Sequence, residues 1–131
     1  MTATPRAIEL IRAAAAAAAE KKATDIVAFD VSEQLVITDA FLVATAANDR
    51  QVKSVVDEIE DVLRELGAKP VRREGVRDGR WALIDYADIV VHVQHTEERA
   101  FYALERLWRD CPEIDVSDVV GPVEPAAAQD Q

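Results

Sequence analysis

Residues 81–85 (WALID) and 89–95 (IVVHVQH) are two apolar runs with only Tyr86, Ala87 and Asp88 between them. Three residues leave no room for a crossover, so the two runs must fold back as an antiparallel hairpin. Two earlier runs, residues 25–30 (DIVAFD) and 41–46 (FLVATA), are rich in branched residues and do not alternate cleanly. Strands of that kind are covered on both faces, as in a sheet flanked by helices. Residues 71–74 make a further short strand. It follows a strand and a helix, so a right-handed parallel crossover is the default.

The helices announce their ends. Thr4-Pro5 is a capping residue followed by proline at the first helical position. That helix runs through Ile8, Ile11 and seven alanines to about residue 22. Asn48 and Gln51 form a variant capping box for a second helix. Val52, Val55, Val56, Ile59, Leu63 and Leu66 keep helical spacing, Gly67 closes the helix and Pro70 bars its continuation. Thr96 caps a last helix over residues 96–110, with Glu97 and Glu98 in its first turn and Pro112 beyond its end. The predicted order is α-β-β-α-β-β-β-α. The fold class is α/β (α+β), with a single mixed sheet of about five strands flanked by helices. One domain over residues 1–120 is expected, followed by a disordered tail over 121–131 (GPVEPAAAQDQ).

Composition removes several functions. The chain carries 25 acidic and 15 basic residues, a formal net charge of −10. Such a body is repelled by phosphate backbones, which argues against direct sequence-specific nucleic-acid binding and favours basic partners. The single Cys111 excludes an internal disulfide and every zinc pattern built on cysteine pairs. Neither a secretory signal nor an apolar run of about 20 residues is visible, which predicts a cytoplasmic protein with no membrane partner. No glycine-rich phosphate loop occurs, and no cofactor or metal is predicted. His92 and His95 are three apart on a strand and point to opposite faces. His92 reads as a hydrogen-bonded core histidine, His95 as exposed and Cys111 as an incidental thiol.

The candidate site is a surface. At about 100° per residue, Phe101, Leu104, Leu107 and Trp108 share one side of the last helix. Glu98, Tyr102, Glu105 and Arg109 share another. Tyr102 thus stands among charges where packing does not require it, as a protein-binding hot spot does. Asp85 and Asp88 flank the hairpin turn. They have three readings: turn residues bonding their own backbone, an acid/base or metal pair, or acids aimed at a basic partner. Trp81 is either core or a second aromatic anchor.

With these residues in view, the chain resembles the ribosomal silencing factor family, also called Iojap-like or RsfS. The likeness runs from about Ile8 to Asp110. It rests on residues 22–26 (KATDI) leading to Asp30-Val31, on 37–41 (ITDAF), on 50–52 (RQV) and above all on 81–93 followed by 97–108. That last stretch matches the pattern W-x-L-x-D-[YF]-G-D-[VI]-[VI]-V-H-[VI]…E-x-R-x-[FY]-Y-x-L-E-x-L-W. The chain departs from the family at Ala87, where glycine is usual, at Ala46 or Ala47, again in place of glycine, and at Asn48 in place of serine. The resemblance implies a nucleotidyltransferase-like fold without that enzyme's active site. It also implies binding to the large ribosomal subunit through a basic protein at the subunit interface, the fourteenth large-subunit protein by the usual count. Small-subunit joining would then be blocked and translation repressed when nutrients are short. Homodimers are expected in isolation. Trp81 and Tyr102 are expected as anchors, and Asp85, Asp88, Glu98 and Glu105 as an acidic rim. The rival readings are an Mg²⁺-dependent nucleotidyltransferase using Asp85 and Asp88, and a large-subunit assembly factor.

Overall fold

The computed structural model describes residues 2–35, 37–102, 108 and 110–120, the side chains of 100–102 excepted. Helix α1 (Pro5–Glu20) begins where the sequence places it, with Thr4 Oγ1 accepting from Ala7 N at 3.1 Å. Strands β1 (Thr24–Asp30) and β2 (Ala40–Ala46) form an antiparallel pair. Helix α2 (Asp49–Glu65) follows, then the short β3 (Arg72–Glu74), β4 (Trp81–Asp85) and β5 (Ile89–His95). Helix α3 (Thr96–Tyr102) and a single turn, α4 (Ser117–Val120), complete the described chain. The expected last helix is described only as far as Tyr102. The rest of its stripe, Leu104 and Leu107, lies outside the described residues, as does the tail after residue 120.

The sheet order is β1-β2-β5-β4-β3. β2 and β5 are parallel and every other neighbouring pair is antiparallel. β3 therefore runs parallel to β2, as a crossover through α2 requires, but two strands separate them. The reason is the hairpin: β5 takes the place beside β2, and β4 and β3 add outward from it. Both side strands are secured. Arg73 on β3 donates to Glu60 on α2 through Nε at 2.6 Å and Nη2 at 3.2 Å. At the other edge, Asp30 N donates to the Pro112 carbonyl at 2.8 Å, and Ile114 N to the Ala28 carbonyl at 2.9 Å.

One face of the sheet carries the main core. Leu42, Ala44, Ile84, Ile89, Val91 and Val93 pack with Leu10, Ile11 and the alanines of α1, and with Val52, Val55, Val56, Ile59 and Leu63 of α2. Alanine lets α1 approach closely, and the spacing of the valines of α2 gives it one continuous buried stripe. The α2 cap differs slightly from the expected box. Asn48 Oδ1 accepts from Gln51 N at 2.8 Å, but Gln51 Oε1 reaches one residue further back, to Ala47 N at 2.7 Å. Gly67 closes the helix at φ +84°, a left-handed conformation that suits glycine. The second face is aromatic and only partly covered, and it bears the candidate site.

Candidate functional site

Alternation along β2, β4 and β5 turns Phe41, Trp81, Leu83 and His92 to the second face. Pairing of Asp85 with Val90 sets Leu83 opposite His92 and Trp81 opposite Gln94. Trp81 and His92 are thus diagonal neighbours within ring contact. Trp81 Nε1 donates to His92 Nδ1 at 3.0 Å, with ring centroids 6.0 Å apart and tilted by 50°. Phe41 stands edge-on to His92 at 5.3 Å and to Trp108 at 5.1 Å. Four rings from three strands and the residue-108 segment make one row across the sheet. Trp81, Phe41, Leu83 and Trp108 remain half-buried, whereas His92 is buried. Burial pulls the His92 imidazole down to about 4, so it is neutral with Nδ1 free to accept.

The hairpin turn sits at one end of β4. Asp88 N donates to the Tyr86 carbonyl at 2.9 Å across Ala87, whose φ is +72°. That bond and that angle match the left-handed γ-turn, a strained conformation for any L-residue. Asp85 Oδ1 accepts from Ala87 N at 2.8 Å, and its other oxygen lies 3.8 Å from Arg72 Nη2. The carboxylate of Asp85 is therefore occupied in holding the turn, the first of the three readings open for it. Asp88 is exposed at the tip, and its carbonyl accepts from Asp39 N at 3.0 Å. No group of three or more His, Cys, Asp or Glu side chains is arranged to hold a metal among the described residues.

At the opposite end of β4, Arg80 Nη2 donates to Glu97 at 2.8 Å and to Glu98 at 3.1 Å. These contacts hold Glu97 below the usual carboxylate range, through hydrogen bonding first and charge second. Glu98 is half-buried and already paired. The entry to α3 also departs from expectation. His95 Nδ1, not the Thr96 hydroxyl, accepts from Glu97 N at 3.1 Å, so His95 does the capping. Thr96 Oγ1 ties instead to the Ala46 carbonyl at 3.2 Å. Tyr102 ends α3, its side chain outside the described atoms, and Glu105 lies outside the described residues.

The structure thus brings Trp81 to the partly covered second face, with Asp85 at one end of its strand, Asp88 just beyond that end and Glu98 near the other. Reading the sequence for charge missed Arg80 and Arg72, which neutralise parts of the rim, and missed the bond between His92 and Trp81. The signal for that bond was present: a three-residue turn fixes the register, and the register makes the two rings diagonal. Cys111 lies buried against Phe29 and Val31, and burial together with Asp110, Asp30 and Glu33 pushes its thiol up. That suits a packing role.

Comparison with known proteins identifies the family. The family model described as "Ribosomal silencing factor during starvation" matches residues 4–131. The ribosomal silencing factor RsfS of Halalkalibacterium halodurans is 39% identical over 112 residues, spanning 86% of this chain and 96% of that one. The protein of the same name from Bacillus subtilis is 40% identical over 107 residues, 82% of this chain and 91% of its own. Among crystal structures, one from Chromobacterium violaceum superposes with a TM-score of 0.75 at 35% identity, covering 77% of this chain and 84% of that one. One from Bacillus halodurans does so with a TM-score of 0.72 at 38% identity, covering 82% and 97%. A match across the whole sheet and both large helices, at this identity, places the chain in the ribosomal silencing factor (RsfS) family.

Proposed function

We propose that this protein is a cytoplasmic, non-catalytic repressor of translation. It binds the large ribosomal subunit through a basic protein at the subunit interface and blocks small-subunit joining when nutrients are short. When free, it pairs with a second copy. Trp81 and Tyr102 are its anchors, with Asp85, Asp88, Glu98 and Glu105 as the acidic rim. The observation that carries this reading is the half-buried Trp81, set in a row of rings on an incompletely covered sheet face, in a chain whose relatives are named for silencing ribosomes. An obstruction needs only bulk. A globule of this length has a radius of gyration of roughly 14 Å, too thick for a closely apposed interface. Nanomolar occupancy requires about 12 kcal/mol, and buried aromatic anchors are the usual source of such affinity.

The test is subunit joining by light scattering with purified protein. Stoichiometric protein is expected to suppress the rise in scattering, and Trp81→Ala to restore it. Undiminished joining in the presence of excess wild-type protein removes the proposal. A nucleotidyltransferase reading asks Asp85 to bind a metal, and one of its oxygens already accepts from the Ala87 amide. A rise in melting temperature with nucleotide and Mg²⁺ would favour that rival.

A further inference from the structure

Trp81 is an unusual candidate anchor because its one polar atom is already used. The indole Nε1 donates to His92 Nδ1 at 3.0 Å, and His92 is buried beneath it. His92 is in turn packed edge-on against Phe41, and Phe41 against Trp108. A ring held at its nitrogen and backed by a fixed row of rings loses little freedom when a partner arrives, and that lowers the entropic cost of binding.

Building on the proposed partner-binding role of Trp81, we infer that His92 is a positioning residue for that role: it fixes the pose of the indole and fills its only donor. The consequence is a chemical preference. With Nε1 satisfied internally, the exposed part of the ring has nothing to offer an acceptor. The contact it is suited to make is apolar, with the aliphatic stem of a long side chain on the proposed basic partner. Burial keeps the imidazole neutral, so Nδ1 accepts throughout the physiological range.

The test compares large-subunit affinity with the exchange rate of the Trp81 indole N–H, read by NMR on labelled protein. His92→Phe keeps a ring in the row but removes the acceptor. It should accelerate indole exchange at least about tenfold and weaken subunit binding about three- to tenfold, the worth of one hydrogen bond. His92→Asn, which restores an acceptor oxygen near the Nδ1 position, should recover most of the affinity. In a Trp81→Phe background, adding His92→Phe should leave affinity unchanged, because the pair then has nothing left to couple. An equal loss in both backgrounds makes His92 a packing residue and overturns the inference, as does full affinity with the indole N–H released. Should the His92→Phe chain not fold, His92→Leu replaces it in the same cycle. Failure of wild-type protein to bind large subunits removes the partner-binding reading itself. Wild-type binding with an indifferent His92→Phe removes only the role of His92.

Discussion

The hairpin between β4 and β5 stores strain that one substitution should release. Ala87 is exposed and sits at φ +72°, between a carboxylate that bonds its amide and a γ-turn bond that spans it. For an L-residue the left-handed region costs about 1–2 kcal/mol, from the Cβ against the neighbouring carbonyl. Glycine removes that clash but frees the unfolded chain by about 0.5–1 kcal/mol. The difference predicts that Ala87→Gly stabilises the fold by about 0.5–1 kcal/mol. In a domain of this size that is roughly 2–4 °C in melting temperature. The opposite change sharpens the test. Ala87→Val adds a branch at the same positive φ and should cost about 1–2 kcal/mol, because nothing nearby needs its methyl groups. Urea unfolding of the three chains, followed by circular dichroism at equal slope, gives both numbers. A neutral or destabilising Ala87→Gly would refute the strain argument. It would mean that the turn adopts a relaxed geometry in solution, and the placement of Asp88 would have to be reconsidered with it.

Four further outcomes are expected. Tyr86 is buried in the main core, its hydroxyl without a hydrogen-bond partner among the described residues, and burial, then Glu60, pushes it up to about 12. Tyr86→Phe should therefore stabilise by about 1 kcal/mol in chemical denaturation, since it removes a desolvated group that bonds nothing. Gly79 combines φ +70° with an added Cβ only 2.5 Å from the Asp49 Cβ, so Gly79→Ala should cost about 2–4 kcal/mol and lower the melting temperature sharply. The His92 imidazole is held at about 4 against an ordinary 6.5. Between those values the unfolded chain takes up a proton that the folded chain refuses, so stability is full above 6.5 and falls as pH drops toward 4. The loss is about 3 kcal/mol, and the difference between wild type and His92→Phe in denaturant titrations across that window isolates it from the carboxylates. Arg80→Gln leaves Glu97 and Glu98 uncompensated, so capture of a basic partner at low ionic strength should quicken a few-fold in stopped-flow, an effect that salt erases.

Local signals were the legible part of this chain. Thr4-Pro5, Asn48, Gly67 and the three-residue turn at 86–88 each act within a few residues, and each stands where the sequence puts it. The element order followed from them. What could not be read was the lateral order of strands. The rule that a strand, a helix and a strand run parallel fixes direction, not adjacency, and β3 joins the sheet two places from β2 because the β4–β5 hairpin intervenes. Charge was harder still. Glu98 and Asp85 look like free acids in the sequence, but their partners, Arg80 and Arg72, come from other elements, and only the folded sheet brings them close. The ring row is intermediate: its members were visible as residues, and their contact required the register.

These pairings bear on how such a surface can recognise a basic protein. Of the four expected acids, Asp85 and Glu98 already face arginines of the same chain, and Glu105 lies outside the described residues; Asp88 is exposed at the turn. A rim so largely compensated projects a weaker field than a net charge of −10 suggests. Partly exposed ion pairs of this kind contribute little to stability, yet each must rearrange or share its carboxylate before a partner cation can use it. Under the proposed function, the rim would reject misplaced like charge and set orientation, while affinity would fall to half-buried Trp81, Phe41 and Leu83 of the second face. The salt dependence of partner binding should accordingly be shallow. A steep decline in affinity with salt, of the kind seen when many charge contacts form, would reverse that division of labour and return the leading role to the acids.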